Sequence, residues 1–288
     1  MKSNPSTQTA ARRARMLRRF AALLCLTITT LSLVTAGTAV MLRFNWIEKL
    51  QIAPLAAASW GITLLLWIGF TFVFGRIYCS VICPVGTMMD IFAHLSRRKL
   101  FKRQKQCSRV YHYEPPMNRV RFVWLAFIMI MAATGVMTFL SIVDPMSVFR
   151  RIIYGLFGPA VAPIFDLQLV WGTALGIVGA AVTFLAIAVV AAMRGRLLCN
   201  SLCPVGTALS VPARYSLYGI DINTDLCVGC NKCVDQCKSQ CIDPQSHTVD
   251  TSRCVVCFNC TAACPNGAIS YTNRRHRLQR PLMVKSEA

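Results

Sequence analysis

Eight of the fifteen cysteines fall into two matching runs in the last third of the chain. The first run is Cys227-x-x-Cys230-x-x-Cys233-x-x-x-Cys237, and the second is Cys254-x-x-Cys257-x-x-Cys260-x-x-x-Cys264, followed by Pro265. This spacing is typical of small bacterial proteins that hold two cubane [4Fe–4S] clusters on cysteine thiolates. It therefore predicts a ferredoxin-like α+β module that carries two clusters.

The three closely spaced cysteines of a run bind one cluster, whereas the fourth points away and binds the neighbouring cluster. The first cluster is therefore expected on Cys227, Cys230, Cys233 and Cys264. The second cluster is expected on Cys254, Cys257, Cys260 and Cys237. Zinc or disulfides are the alternatives, but zinc sites usually take two cysteines from each of two separated places.

Cys241 competes with Cys237 as a ligand of the second cluster. Overlaying the two runs places Cys241 on Ala268, a position that cannot supply a ligand. We therefore predict that Cys241 is a small buried side chain. Cys25 and Cys107 lie outside all of the cysteine motifs and are predicted to have no role in the site.

Hydrophobic residues make up 55% of the 288 residues, yet the net charge is +20. Four segments carry no charged residue: 20–42, 51–75, 122–143 and 169–193. Each is long enough to span a bilayer, which takes about 20 residues. A signal peptide is the alternative for the first segment, but its apolar region would be only about 7–15 residues long. The sequence predicts an all-α membrane domain of four helices.

The basic residues indicate how this domain is oriented. There are 6, 10 and 11 of them in the amino-terminal segment, the middle loop and the tail, against two in each remaining loop. By the positive-inside rule, both termini and the middle loop face the cytoplasm. We therefore expect a four-span protein of the bacterial inner membrane with its clusters on the cytoplasmic side. Nucleic acid is not expected as a partner, because the cations follow the membrane side and lack interleaved aromatic residues.

A second motif, Gly-Arg-x-x-Cys-x-x-x-Cys-Pro-Val-Gly-Thr, occurs twice, at 75–87 and again at 195–207. Each copy ends a predicted helical hairpin, so the two hairpins are parallel repeats, which are usually related by an axis along the membrane normal. Such symmetry would bring four thiols together at the cytoplasmic end of the helices: Cys79, Cys83, Cys199 and Cys203. Packing of small side chains, or a free-thiol or disulfide pair, are the alternatives to a redox-active or metal-binding site.

With these motifs, the chain resembles the NapH-type membrane ferredoxins, which are quinol dehydrogenase components of periplasmic nitrate reductase systems. MauN-type proteins and the membrane core of NosR-type proteins belong to the same wider group. The resemblance covers the four spans, the two Cys-x-x-x-Cys-Pro motifs and the two cluster runs. One departure is Lys238, which follows Cys237 where a proline is usual.

The resemblance implies electron transfer from the quinone pool, through this subunit, to a further redox protein, such as an iron–sulfur or periplasmic reductase subunit. A role in assembly or redox regulation of a respiratory enzyme is the alternative. A quinol site is expected either at the four-thiol junction or in the opposite loop, which carries Asp144, Arg150, Arg151 and Tyr154. Membrane anchoring is an equal alternative for that loop.

The expected domain organisation has four parts. A basic cytoplasmic tail covers 1–16, the transmembrane domain 17–214, the ferredoxin-like domain 215–272 and a second basic tail 273–288.

Overall fold

The computed structural model describes residues 5–34, 60–96, 111–134, 142–165 and 174–274. Cys107 and the greater part of the predicted carboxy-terminal basic tail lie outside these ranges, as do parts of all four predicted spans.

The first two thirds of the described chain are helical. The helices are α1 (Pro5–Val34), α2 (Trp60–Phe74), α3 (Tyr78–Val81), α4 (Pro84–Leu95), α5 (Asn118–Ala133), α6 (Pro145–Phe165), α7 (Ala174–Arg194), α8 (Leu197–Ser201) and α9 (Pro204–Arg214). Within the described ranges, two of them contain stretches long and apolar enough to cross a membrane, Gln8–Val34 and Gly176–Arg194. The expectation of four spans therefore stays a prediction.

One sequence expectation about these helices was wrong. The region that contains Asp144 and Tyr154 was expected to be a loop, but it forms α6. The basic cytoplasmic tail at 1–16 stays a prediction, and its described part belongs to α1, which begins at Pro5 and continues without a break into the apolar segment. Pro145 starts α6, at a position where a backbone N–H would have no partner within the helix. The Asp144 carboxylate caps the helix by accepting a hydrogen bond from the Ser147 amide at 2.9 Å.

The last third forms a small α+β module. Strand β1 (Tyr218–Ile222) pairs antiparallel with β4 (Ile269–Asn273), and β2 (Ile242–Asp243) pairs with β3 (Thr248–Val249). Two short helices, α10 (Lys232–Asp235) and α11 (Asn259–Ala263), lie within the two cysteine runs. Pairing of the first strand with the last one closes the module around a core of isoleucines, valines and cysteines.

The module docks directly on the helical domain. The Leu217 amide donates to the Phe72 carbonyl at 2.9 Å, and the Tyr271 hydroxyl donates to the Phe74 carbonyl at 2.9 Å. On the opposite side, the Gln8 amide of α1 donates to the Pro265 carbonyl at 2.7 Å. Val255, from the second cysteine run, is buried in the same apolar cluster as the thiol of Cys79. The cysteine module and the Cys-Pro repeats therefore form one continuous core.

Candidate functional site

The eight cysteines of the module line two separate pockets. The first pocket is lined by Cys227, Cys230, Cys233 and Cys264. Cys264 comes from the second run, so the fold brings the fourth cysteine of one run to the first three of the other. The pocket lies at the outer face of the module, where Cys230 is exposed.

The second pocket is lined by Cys237, Cys254, Cys257 and Cys260, together with Cys241. The predicted ligand set is again drawn from both runs. The Cys241 sulfur lies 3.5 Å from the Cys237 sulfur. A hydrogen bond from the Cys241 thiol lowers the pKa of Cys237 to about 7, whereas the pKa of Cys241 is raised. In this arrangement Cys241 acts as a donor to a neighbouring thiolate, while its exclusion as a ligand stays a prediction.

The backbone of both runs makes the same tight turn around the second cysteine. Gly229 and Val256, which precede it, have φ of 67° and 50°, and Asn231 and Phe258, which follow it, have φ of 54° and 58°. Left-handed conformations are rare for a β-branched residue such as Val256, and such strain persists only where the surrounding fold enforces it. The repeated turn folds three cysteines around each pocket, and this donor set fits an iron–sulfur cluster.

The Cys-x-x-x-Cys-Pro repeats form a third group of thiols beneath the second pocket. Cys83 and Cys203 are the amino-terminal caps of α4 and α9, and both have the same extended backbone followed by proline. The Gly206 amide donates to the Cys203 sulfur at 3.4 Å. Helix amino-termini favour negative charge, so both caps are suited to thiolates.

All four thiols of this junction lie within electrostatic range of one another. Burial, with contributions from Cys199 and Cys83, raises the pKa of Cys203 well above its ordinary value. Burial also raises the pKa of Cys83, with Cys199 and Cys79 adding to the effect. Burial raises the pKa of Cys199 to about 11, although Arg196 acts in the opposite direction. The thiols of Cys83, Cys199 and Cys203 therefore stay protonated at neutral pH unless a positive group binds them.

None of the described cysteines is in a disulfide. No three Cys, His, Asp or Glu side chains within the described residues are close enough together to hold a single metal ion. A polynuclear cluster makes a different demand, because each sulfur binds a different iron atom.

Two buried arginines connect the repeats crosswise. Arg76, from the first repeat, donates to the Cys199 carbonyl at 3.4 Å, and its Nη2 lies 3.9 Å from the Cys79 sulfur. Arg196, from the second repeat, donates to the Cys79 carbonyl at 2.8 Å. Both side chains are among the most deeply buried of the described residues. Sequence analysis missed this pair, although the Gly-Arg start of both motifs was a visible signal.

Asp90 breaks the symmetry between the repeats. Its carboxylate pairs with Arg18 and Arg196, each at 2.9 Å, and with Lys238 at 3.3 Å. Burial alone would raise the pKa of Asp90, but these three cations hold it well below its usual range. The equivalent position in the second repeat is Ser210, which instead accepts from Arg121 at 3.2 Å. Three buried cations thus share one carboxylate at the boundary between the junction and the second pocket.

The region of the alternative quinol site is a helix, α6, where a loop was expected. Asp144 is buried as the cap of α6, and the Tyr154 hydroxyl donates to the Leu33 carbonyl at 3.2 Å. Tyr154 therefore ties α6 to α1, and its side chain packs against the apolar cluster that contains Cys79, Cys83 and Cys199.

A family model described as a 4Fe-4S binding domain matches residues 56–103 and 176–217. These ranges contain the two Cys-x-x-x-Cys-Pro repeats, whereas the two cysteine runs of the module lie beyond them. The description therefore supports iron–sulfur binding by this chain.

Curated relatives match along most of the chain. YccM of Escherichia coli K12, named for electron transport, is 28% identical over 74% of this chain and 55% of its own length. The methylamine utilization ferredoxin-type protein MauN of Paracoccus denitrificans is 29% identical over 68% of this chain and 58% of its own length. The regulatory protein NosR of Pseudomonas aeruginosa is 24% identical over 81% of this chain and 29% of its own length.

The chain thus spans little more than half of the length of YccM and MauN. No solved structure gives a significant match. The narrower resemblance to NapH stays a prediction. Together, the family model and these relatives support the broad group of ferredoxin-type iron–sulfur proteins that includes MauN and NosR.

Proposed function

We propose that this protein relays single electrons within the bacterial inner membrane, between the quinone pool and a further redox protein. In this proposal the first cluster is held by Cys227, Cys230, Cys233 and Cys264, and the second by Cys254, Cys257, Cys260 and Cys237. Iron–sulfur clusters take up and release one electron at a time, whereas a quinol supplies two. YccM, which is named for electron transport, and MauN, which is named as a ferredoxin-type protein, support such a role.

The observation that carries the proposal is the order of the three cysteine groups. The four junction thiols lie where α2 and α7 end, and Cys257 of the second pocket packs against the apolar cluster that contains Cys79, Cys83 and Cys199. The first pocket lies beyond, with Cys230 at the surface. This order offers a path from the ends of the apolar helices to an exposed face where a partner can dock.

Protein side chains prepare this path for negative charge. Lys238 and Arg196 lie within electrostatic range of Cys257, and both bind Asp90. Buried cations stabilise thiolates and favour the addition of an electron nearby. Tight packing around Cys257 and Val255 keeps water away from this boundary and strengthens the effect of these charges.

The quinol is proposed to bind at the junction, in preference to the Asp144–Tyr154 region. The junction places thiols in the apolar cluster against which Cys257 of the second pocket packs, whereas Asp144 and Tyr154 serve as a helix cap and a link to α1. Both termini and the clusters are proposed to face the cytoplasm, as the distribution of basic residues indicates.

Anaerobic purification of the full chain, followed by addition of a menaquinol analogue, tests the relay. We expect electron paramagnetic resonance signals of reduced clusters to develop on the addition, and a Cys257→Ser variant to lose them. A full chain that holds about eight irons or more, but is reduced only by dithionite and never by a quinol, would contradict the proposal.

A regulatory or assembly role is the second candidate, and one observation favours it. Two relatives that align over 81% of this chain are named as regulatory protein NosR. The same experiment separates the two roles, because a protein that only senses redox state has no need of rapid turnover with quinol. Reduced clusters that form at a rate independent of the quinol concentration would favour regulation.

A further inference from the structure

A buried positive charge lies beside the four junction thiols, and the two clusters of the module do not neutralise it. Arg76 is fully buried, and no carboxylate of the described residues pairs with it. Its Nη1 donates to the Asn200 side chain at 3.1 Å and to the Ser252 carbonyl at 2.9 Å, while its Nε has no partner. A buried guanidinium without a counter-anion is strongly unfavourable.

The same arginine lies against the thiols. Its Nη2 is 3.9 Å from the Cys79 sulfur, and it reaches across to the carbonyl of Cys199. Arg196 makes the mirror contacts, with the Cys79 carbonyl at 2.8 Å and the Gly86 carbonyl at 3.2 Å. One cation from each repeat therefore binds the carbonyl of the other repeat's first cysteine, and Arg76 also lies against the Cys79 thiol of its own repeat.

Glycines make room for this crossing. A Cβ at Gly206 would lie 2.8 Å from Nη2 of Arg76, and a Cβ at Gly86 would lie 3.7 Å from Nη1 of Arg196. Both glycines also pack against the carbonyls of the first cysteines, Cys199 and Cys79. The second glycine of each motif is thus explained by the close carbonyl of the first cysteine in its own repeat, and Gly206 also leaves room for Arg76.

We propose that Cys79, Cys83, Cys199 and Cys203 bind a third iron–sulfur cluster as thiolates, and that Arg76 and Arg196 are its counter-cations. Four thiolates around an iron–sulfur core of about +2 leave a net charge of about −2, which suits two guanidinium groups. Binding releases the protons of the four thiols. The Cys83 and Cys203 sulfurs receive further support from the helix amino-termini on which they lie.

This inference deepens the proposed function, because it adds a redox group at the membrane end of the relay. Its test does not depend on quinol turnover. The two clusters of the module account for about eight irons, so a third raises the total to about ten for a [2Fe–2S] or twelve for a [4Fe–4S] cluster. Iron and acid-labile sulfide are measured in the full chain, purified without oxygen.

The double variant Cys79→Ser with Cys199→Ser should lose the iron above eight and keep the rest, while Cys25→Ser should lose none. A wild-type chain with eight irons, unchanged in the double variant, overturns the inference. Zinc at the junction in place of the extra iron also overturns it. If the double variant instead lost the eight irons that it is expected to keep, the result would count against the module clusters, and thus against the proposed relay.

The role of Arg76 is tested separately by redox titration. An Arg76→Met variant should either lose the extra iron or lower the midpoint potential of the junction signal, because reduction adds negative charge beside the missing cation. Arg76→Lys should keep the iron and most of the potential. Arg121→Met removes an equally buried cation that donates to Ser210 and Ser252, and it should change the signal less. An Arg76→Met variant with wild-type iron and potential would refute the counter-cation role.

Discussion

Among single residues, Cys241 shows how an extra cysteine can take part in a site without being a ligand. Its thiol lies 3.5 Å from the Cys237 sulfur, inside the pocket that also holds Cys254. The hydrogen bond lowers the pKa of Cys237 and favours its thiolate form. A thiol that donates to a ligand sulfur supports the cluster from outside it.

A pair of serine variants tests this distinction. Cys237→Ser should reduce the iron content of the full chain, because a hydroxyl is a poor ligand for iron. Cys241→Ser should keep the iron, since serine fills the same space and still donates a hydrogen bond to Cys237. Iron and sulfide assays after anaerobic purification measure both outcomes. Iron lost from Cys241→Ser and kept in Cys237→Ser would reverse the predicted ligand assignment.

The two pockets are lined by the cysteine sets that the spacing predicts, because a tight turn around three cysteines has a nearly fixed length. Their role as cluster ligands stays a prediction. The spacing could not predict Arg76 and Arg196 as a crossed pair. Each arginine contacts residues of the other repeat, about 120 positions away along the chain, so the contact depends on how the two repeats are placed. Asp90 was missed for the same reason, since its partners come from α1, the second repeat and the module.

Among the elements, the two Gly-Arg turns decide how the helices meet the cysteine module. Gly75 and Gly195 have φ of 80° and 64°, which side chains rarely adopt. A Cβ at Gly195 would lie 2.6 Å from the Lys238 carbonyl, which accepts from the Arg196 amide at 3.0 Å. The turn after α7 therefore fits directly against the first cysteine run.

Replacing Gly195 with alanine should weaken this docking. The left-handed conformation alone costs about 1–2 kcal/mol for a residue with a side chain, and the methyl group would also push against Lys238. We expect a lower midpoint of thermal unfolding in detergent, together with faster proteolysis between α9 and β1.

Gly179→Ala is the matched control for that variant, because a Cβ at Gly179 meets nothing within 4 Å. This change should leave the midpoint unaltered or raise it, since alanine favours the helix. Equal effects of the two variants would show that the Gly195 turn has no special role.

The sequence did not predict helix α6. The region that contains Asp144 and Tyr154 was expected to form a loop, yet α6 continues through the prolines at 159 and 163. The physical reason lies in the cap at its start: Asp144 accepts from the amide of Ser147, and Met146 and Phe149 are buried in the core. Tertiary packing of this apolar face outweighs the local preference of the prolines.

At the scale of the whole molecule, Asp90 joins all of the major parts. Arg18 comes from α1, Arg196 from the second repeat and Lys238 from the cysteine module, and all three meet on this carboxylate of α4. Lys238 stands where the resemblance leads one to expect proline, so the departure has a structural use. A proline could not supply the third cation.

The last prediction concerns the loss of this charge. Asp90→Asn would leave three buried cations without their shared carboxylate, and removing one partner from a buried ion pair costs about 3–5 kcal/mol. Asp225→Asn, at an exposed position, is the control and should change little. Denaturant or thermal unfolding in detergent measures both variants against the wild type.

The lowered pKa of Asp90 determines how the difference in stability between the wild type and Asp90→Asn depends on pH. A carboxylate with a depressed pKa stabilises the fold above its unfolded value of about 3.9 and loses that effect only as the pH falls further. The difference between wild type and Asp90→Asn should therefore be the same at neutral pH as at about pH 5. If the two proteins became equally stable between these values, Asp90 would be protonated in the fold. The charge cluster would then not hold α1, α4 and the cysteine module together.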